Sequence, residues 1–235
     1  MTNELLQVKF QQRLNKLSSN DYGNIECWMV AEAFNKAMDA WVSRQLQGIN
    51  QTKSTAEGSI RSIDKLQIIL NQAPLTMVNQ GIYWECDVPS DYVEWSRISA
   101  EAQAGDCCPP RKLKIFLGEE ADIDLVLLDK NRQPSYEWAE TVATVINGKF
   151  RIYTNKCFDV VNPAITYYRR PAHIKIVGCT DPDTGLIVPP GGGVECEFSN
   201  TVTETIIDEG AAILADDMDN YNKMQALNQN AEHSN

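Results

Sequence analysis

Residues 201–221 read TVTETIIDEGAAILADDMDNY, and what covers this stretch decides the architecture. Thr201 followed by Glu204 matches a capping box, in which hydroxyl and carboxylate each satisfy a backbone N–H that a helix start leaves unpaired. Val202, Ile206 and Ile213, with Ile207, Ala211 and Leu214 beside them, recur at helical spacing as an apolar stripe. A lone amphipathic helix gains too little from its own hydrogen bonds to persist in water. The stripe therefore calls for a cover, expected to be the preceding β region or a neighbouring subunit.

Upstream, the period of the apolar residues changes from helical to two. Leu6, Phe10, Leu14 and Leu17 mark a first amphipathic helix, broken by SSNDYGN. A second runs over residues 25–47, with Val30, Phe34, Ala37 and Trp41 on one face, widened by Trp28, Met38 and Leu46, and Gly48 as its stop. A polar loop, GINQTKSTAEGS, separates it from a third helix expected over residues 60–72 and ended by Pro74. Ile82, Trp84, Cys86 and Val88 then alternate with Tyr83, Glu85 and Asp87, as in a half-buried strand. Residues 92–100 and 112–117 read as further strands around the turn-rich AGDCCPPR, where Pro109 and Arg111 are expected in a loop; a short helix follows over residues 119–129. In TVATVINGKFRIYT, Asn147-Gly148 between two β-rich runs predicts a type I′ hairpin, because both residues tolerate positive φ. AITYYR (164–169) and residues 173–177 complete the strands, DPDTG (181–185) is a turn, and PPGGG is a flexible link into the last helix. The expected class is α+β: N-terminal helices over 1–73, a central antiparallel β-rich region over 74–198, a single C-terminal helix over 199–221, and a polar, frayed tail over 222–235.

Composition narrows the partners. Lys+Arg 21 against Asp+Glu 32 gives a net charge of −11, which disfavours tight binding to nucleic acid or anionic membrane. No apolar run approaches the length needed to cross a bilayer, and MTNELLQVKF lacks the pattern of a secretory signal. The seven cysteines, with Cys107 and Cys108 adjacent and no C-x-x-C pair, read as free thiols of a reducing cytoplasm.

No residue pattern forms a recognisable catalytic, cofactor or metal set. Asp181, Asp183 and Gly185 imitate the start of a calcium loop, but LIVPP supplies no later carboxylate. Asp216, Asp217 and Asp219 read as a solvated face. Gly191-Gly192-Gly193 lacks the Lys-Ser/Thr of a phosphate loop. Only His173 and His233 are present, His233 lies in the tail, and a Cys-His or Ser-His nucleophile system would rest on His173 alone, which sits at a strand edge. Glu119, Glu120, Asp122 and Asp124 offer the carboxylate pairs a glycoside hydrolase needs, in a chain where acidic pairs are common. Trp84 or Trp95 would serve a carbohydrate-binding module, and Trp28 and Trp41 belong to a helical core. Arg169-Arg170 after Tyr167-Tyr168 could touch nucleic acid; a strand end at a rim or protein interface is the plainer reading.

Four segments together carry a resemblance: NIECWMVAEAFNKAMDAWVSRQL, PSYEWAETVATVINGKFRIYT, AITYYRRP and CEFSNTVTETIIDEGAAILADDMDN. In this order, over most of the chain, they resemble the ring (head–tail connector) proteins of crAss-like podoviruses. Cys196 stands where that family leads one to expect an acidic residue or proline. The resemblance implies a non-enzymatic virion protein without cofactor. It would be a subunit of a dodecameric ring beneath the portal protein, assembled in the host bacterial cytoplasm. It would contact other ring or tail proteins and surround DNA that passes without tight binding. Val202, Ile206, Ile213, Arg169 and Arg170 are then the expected assembly contacts. The alternatives are a carboxylate-dependent glycoside hydrolase built on the Glu119/Asp124 region and a monomeric carbohydrate-binding module.

Overall fold

The computed structural model describes residues 1–17, 25–46, 65–105 and 108–232, without the side chains of 16, 17 and 219–232. The expectations for SSNDYGN, Gly48, GINQTKSTAEGS and Cys107 lie outside the described residues. The fold is α+β, with N-terminal helices, a β-rich middle and a C-terminal helix. The linear division expected from sequence gives way to a nested one. Residues Met1–Ile68 and Pro171–Asn235 form one compact unit, and Ile69–Arg170 form the second.

The first unit is helical. Helices α1 (Asn3–Leu17) and α2 (Cys27–Leu46) pack against the long C-terminal helix, here α4 (Asn200–Glu232). Leu6, Phe10 and Leu14 of α1 are fully buried, as are Phe34, Ala37 and Met38 of α2. Val202, Ile206, Ile207, Ala211 and Leu214 of α4 are buried too. The stripe is thus covered by the chain's own N-terminal helices, not by the sheet, and Ile213 at its margin is only half-buried. Burying a large aliphatic side chain is worth about 1.5–3 kcal/mol, so this stripe is a principal support of the unit. Ion pairs flank it, with Lys9 and Arg13 of α1 reaching Glu204 and Arg44 of α2 reaching Glu209. Glu204 is therefore engaged across the helices rather than in the expected capping box. The helix also runs past residue 221, into the stretch expected as a frayed tail. Trp41 is buried edge-on against Phe198 at 5.3 Å, whereas Trp28 is exposed and outside the core.

Segment 171–199 crosses this unit without a regular strand. In place of the strand expected at 173–177 there is a single bridge from Lys175 to Val194. PPGGG forms a turn closed by the Gly192 N–H on the Pro189 carbonyl. Three ties lay the segment antiparallel along α2. Cys27 and Cys179 form a disulfide, which corrects the reading of seven free thiols. Buried Asn35 accepts the Ile174 N–H at 2.9 Å and donates back to its carbonyl at 3.4 Å. His173 meets Asp39.

The second unit packs two sheets face to face. Strands β1 (Leu70–Pro74), β9 (Asp159–Arg169), β4 (Tyr92–Gln103) and β5 (Arg111–Lys112) form one sheet in that order. Strands β2 (Val78–Asn79), β3 (Tyr83–Asp87), β8 (Lys149–Tyr153), β7 (Glu140–Ile146) and β6 (Lys114–Leu117) form the other. Pairing is antiparallel except β6 with β7, which is parallel. Between the sheets lie Cys86, Ile98, Ala102, Phe150, Ile152, Ile165 and Tyr167. The Asn147-Gly148 turn is as expected, with φ of 50° and 71°. The third helix is not: helical structure ends at Leu66, a short 3-10 turn follows, and β1 pairs with β9 where helix was expected to reach residue 72. Pro74 is tolerated there because β1 is an edge strand. Pro109 and Arg111 are held within the chain, since Tyr136 donates to the Pro109 carbonyl at 2.7 Å and Arg111 lies over the Tyr136 ring.

Candidate functional site

The outer face of the five-stranded sheet carries helix α3 (Ile123–Leu128), the short helix expected near residues 119–129. Gly118 leads into it. A Cβ there would meet Cγ2 of Val142 at 2.6 Å, so only glycine lets the chain turn this closely over β7. Ile123 then packs on Val142 and Tyr153 in a small second core, joined by Tyr83, Val126 and Leu127. The strand pairing determines the polar neighbours. Register puts Glu85 and Thr144 opposite Arg151 on its two flanking strands. Arg151 donates to Glu85 at 3.0 Å and to Glu120 at 2.9 Å, and its guanidinium covers the Tyr83 ring. Glu120 also accepts from the Thr144 hydroxyl at 2.5 Å and the Tyr153 hydroxyl at 3.0 Å. Partial burial pushes the Glu120 carboxyl upward, but the Thr144 and Tyr153 hydroxyls and Arg151 outweigh it and hold the group below its ordinary value. A glycosidase acid requires the opposite shift, and these hydrogen bonds tie Glu120, at the start of the turn leading into α3, to the sheet.

Beside this network lies a groove of about 870 Å³. Its floor includes Phe116 and Val142, one wall is Asp122 with Ile123 and Val126 of α3, and the other is the 130–138 loop ending in Trp138. Glu119 and Asp122 line it; Asp124 does not. Large apolar side chains stand exposed in and around it. Phe116 is 56% exposed, Leu117 46% and Trp138 77%. Leu125 and Leu128, on the outward side of α3, are 69% and 81% exposed. Strand β6, which carries Phe116 and Leu117, is the terminal strand of its sheet. Apolar groups collected at an open edge are a surface that association would cover.

The remaining sequence candidates scatter. Arg169 and Arg170 end β9, where Arg170 donates its N–H to Asp91 and its carbonyl accepts from Arg169. Val202 and Ile206 are core residues of the helical unit, so they reach no surface, and Ile213 alone of the three is partly accessible. Trp84 and Trp95 pack against the inter-sheet core instead of forming a sugar platform. Asp181 is buried and fully used by Lys175, Thr184 and the Asp183 N–H, as an ordinary turn requires. Among the described residues no cluster of His, Cys, Asp or Glu is placed to hold a metal ion, and no helix is long and apolar enough to cross a membrane. The groove-mouth residues were not singled out in sequence. The available signal was Trp138, a large aromatic in a stretch without strand or helix periodicity. No protein-family model matches the chain, and comparison with curated proteins found no match.

Proposed function

We propose that the protein is a structural subunit of a phage neck: a ring-forming head-to-tail connector, stacked beneath the portal and surrounding the DNA channel. The observation that carries this reading is the set of exposed apolar side chains on the β unit: Phe116, Leu117 and Trp138 lining the groove beside the terminal strand β6, and Leu125 and Leu128 on the outward side of α3. A ring subunit must present surface to its neighbours, and heterologous contacts that close produce a ring. The net charge of −11 supports the same reading, because DNA sliding past an acidic wall releases no counterions to bind it. The Arg169–Arg170 strand end belongs to protein contacts on this reading.

Native mass spectrometry of the protein with its portal tests the proposal. The expected species are twelve-fold rings on the portal, lost when Leu128→Asp and Trp138→Ala are combined while the melting temperature stays within a few degrees. A chain that remains monomeric with portal at tens of micromolar, or binds duplex DNA tightly in a salt-sensitive way, would overturn it.

A further inference from the structure

Residues 178–188 form a small hairpin in the helical unit. Gly178 and Val188 close its base through N–H bonds to Val188 and Cys179, and a Thr180–Ile187 bridge extends it. The base is fixed to α2 covalently, through Cys179 and Cys27. The tip is fixed differently. His173 Nδ1 lies 2.8 Å from Asp183 at the tip, and Nε2 lies 3.1 Å from Asp39 on α2. Each carboxylate oxygen can only accept, so both bonds exist together only when both ring nitrogens carry a proton. A neutral imidazole has one N–H and must release one carboxylate.

We propose that His173 is a proton-operated clip that ties the tip of the 178–188 hairpin to α2 and releases it when the imidazolium is lost. Two other charged groups lie nearby. Lys175, outside the hairpin, pairs with Asp181 at 2.7 Å and also attracts Asp183, but among the described residues it forms no ion pair with Asp39 or the rest of α2, and Glu197 accepts the Ala172 N–H at 3.0 Å. Burial opposes the charge on His173, but hydrogen bonds and charge attraction from Asp183 and Asp39 prevail, and its pKa is raised above 6.5. A group raised on folding contributes stability that is complete below its unfolded pKa and is lost as pH rises through the folded one. The clip is therefore closed in acid and opens as pH climbs past the raised value. The same hairpin carries Leu186 and Ile187, each 71% exposed, whose methyl groups report on its tip. The inference is independent of the connector reading.

Only two histidines are present, so a proton NMR titration of the full chain resolves His173 from His233 once His173→Gln has removed one signal. With methyl-labelled Leu and Ile, the expected result is that the Leu186 and Ile187 methyl signals titrate with the midpoint of His173, above 6.5. Asp39→Asn should lower both midpoints together, and His173→Gln should abolish the methyl titration with the helical circular dichroism unchanged. Methyl signals that do not follow His173, or that titrate equally in His173→Gln, would overturn the clip. Should His173→Gln fail to fold, Asp39→Asn alone decides: separate midpoints for imidazole and methyls reject the proposal.

Discussion

A methyl group added at Gly210 would sit 2.9 Å from Cε2 of Phe10 and 3.2 Å from the Ala33 carbonyl oxygen. Two opposing effects meet at this position. Alanine is the better helix former by about 1 kcal/mol. Against that, Phe10 is fully buried among close-packed neighbours and cannot withdraw without strain, and overpacking a core costs roughly 1–3 kcal/mol. The Ala33 carbonyl belongs to α2, so the same methyl would press on both helices that cover α4. The clash should win, and Gly210→Ala should destabilise by about 1–2 kcal/mol in urea denaturation. Two positions along, Ala212 is exposed, and Ala212→Gly should cost about 1 kcal/mol from propensity alone. A Gly210→Ala protein as stable as the parent would mean that α4 does not approach α1 and α2 this closely. Glu204 gives the same lesson about context: sequence spacing assigns it to a cap, and Lys9 and Arg13 across the interface claim it instead.

Elements whose determinants are local were legible, and those made by distant partners were not. Helix α2 carries a full apolar face, and the β7–β8 turn is determined by two adjacent residues that accept positive φ. Strand β1 has no strand signal in LNQAP; it exists because β9 offers an edge nearly a hundred residues downstream, with Leu70 opposite Tyr168. The groove is similarly non-local, since Phe116, α3 and Trp138 meet only after β6 pairs with β7. The disulfide is the clearest case. The scattered spacing of the cysteines argues for free thiols, and only the fold brings Cys27 to Cys179 across a separation of 152 residues. Closing a loop of that size removes much freedom from the unfolded chain, and losing such a bridge costs roughly 2–5 kcal/mol. Dithiothreitol should therefore lower the denaturation midpoint of the parent, whereas Cys27→Ser should start at that lower midpoint and ignore reductant. If thiol titration of the unreduced, denatured protein counts all seven cysteines as free, the bridge does not form.

At the scale of the whole molecule, the β unit is an insertion between the halves of the helical unit. The linear reading saw the order of the parts correctly and missed that the first and last belong together, because an apolar stripe does not say which other stripe it meets. The insertion has a physical consequence. Leu70 pairs with Tyr168, so the two ends of the β unit leave side by side from adjacent strands. Cutting the chain there severs no strand of either sheet and leaves the inter-sheet cluster of Ile98, Phe150, Ile152, Ile165 and Tyr167 whole. A domain of about a hundred residues with its own core holds roughly 5–15 kcal/mol of stability. The fragment 69–170 should thus fold alone, with a β-type circular dichroism spectrum and a single cooperative urea transition. Its exposed Leu128 and Trp138 could drive association that hides this result, so the fragment carrying Leu128→Lys and Trp138→Ser provides the control. Either form unfolding cooperatively upholds the nested division. Broad, non-cooperative melting and collapsed amide dispersion in both would show that the β unit depends on the helices and that the chain folds as one body.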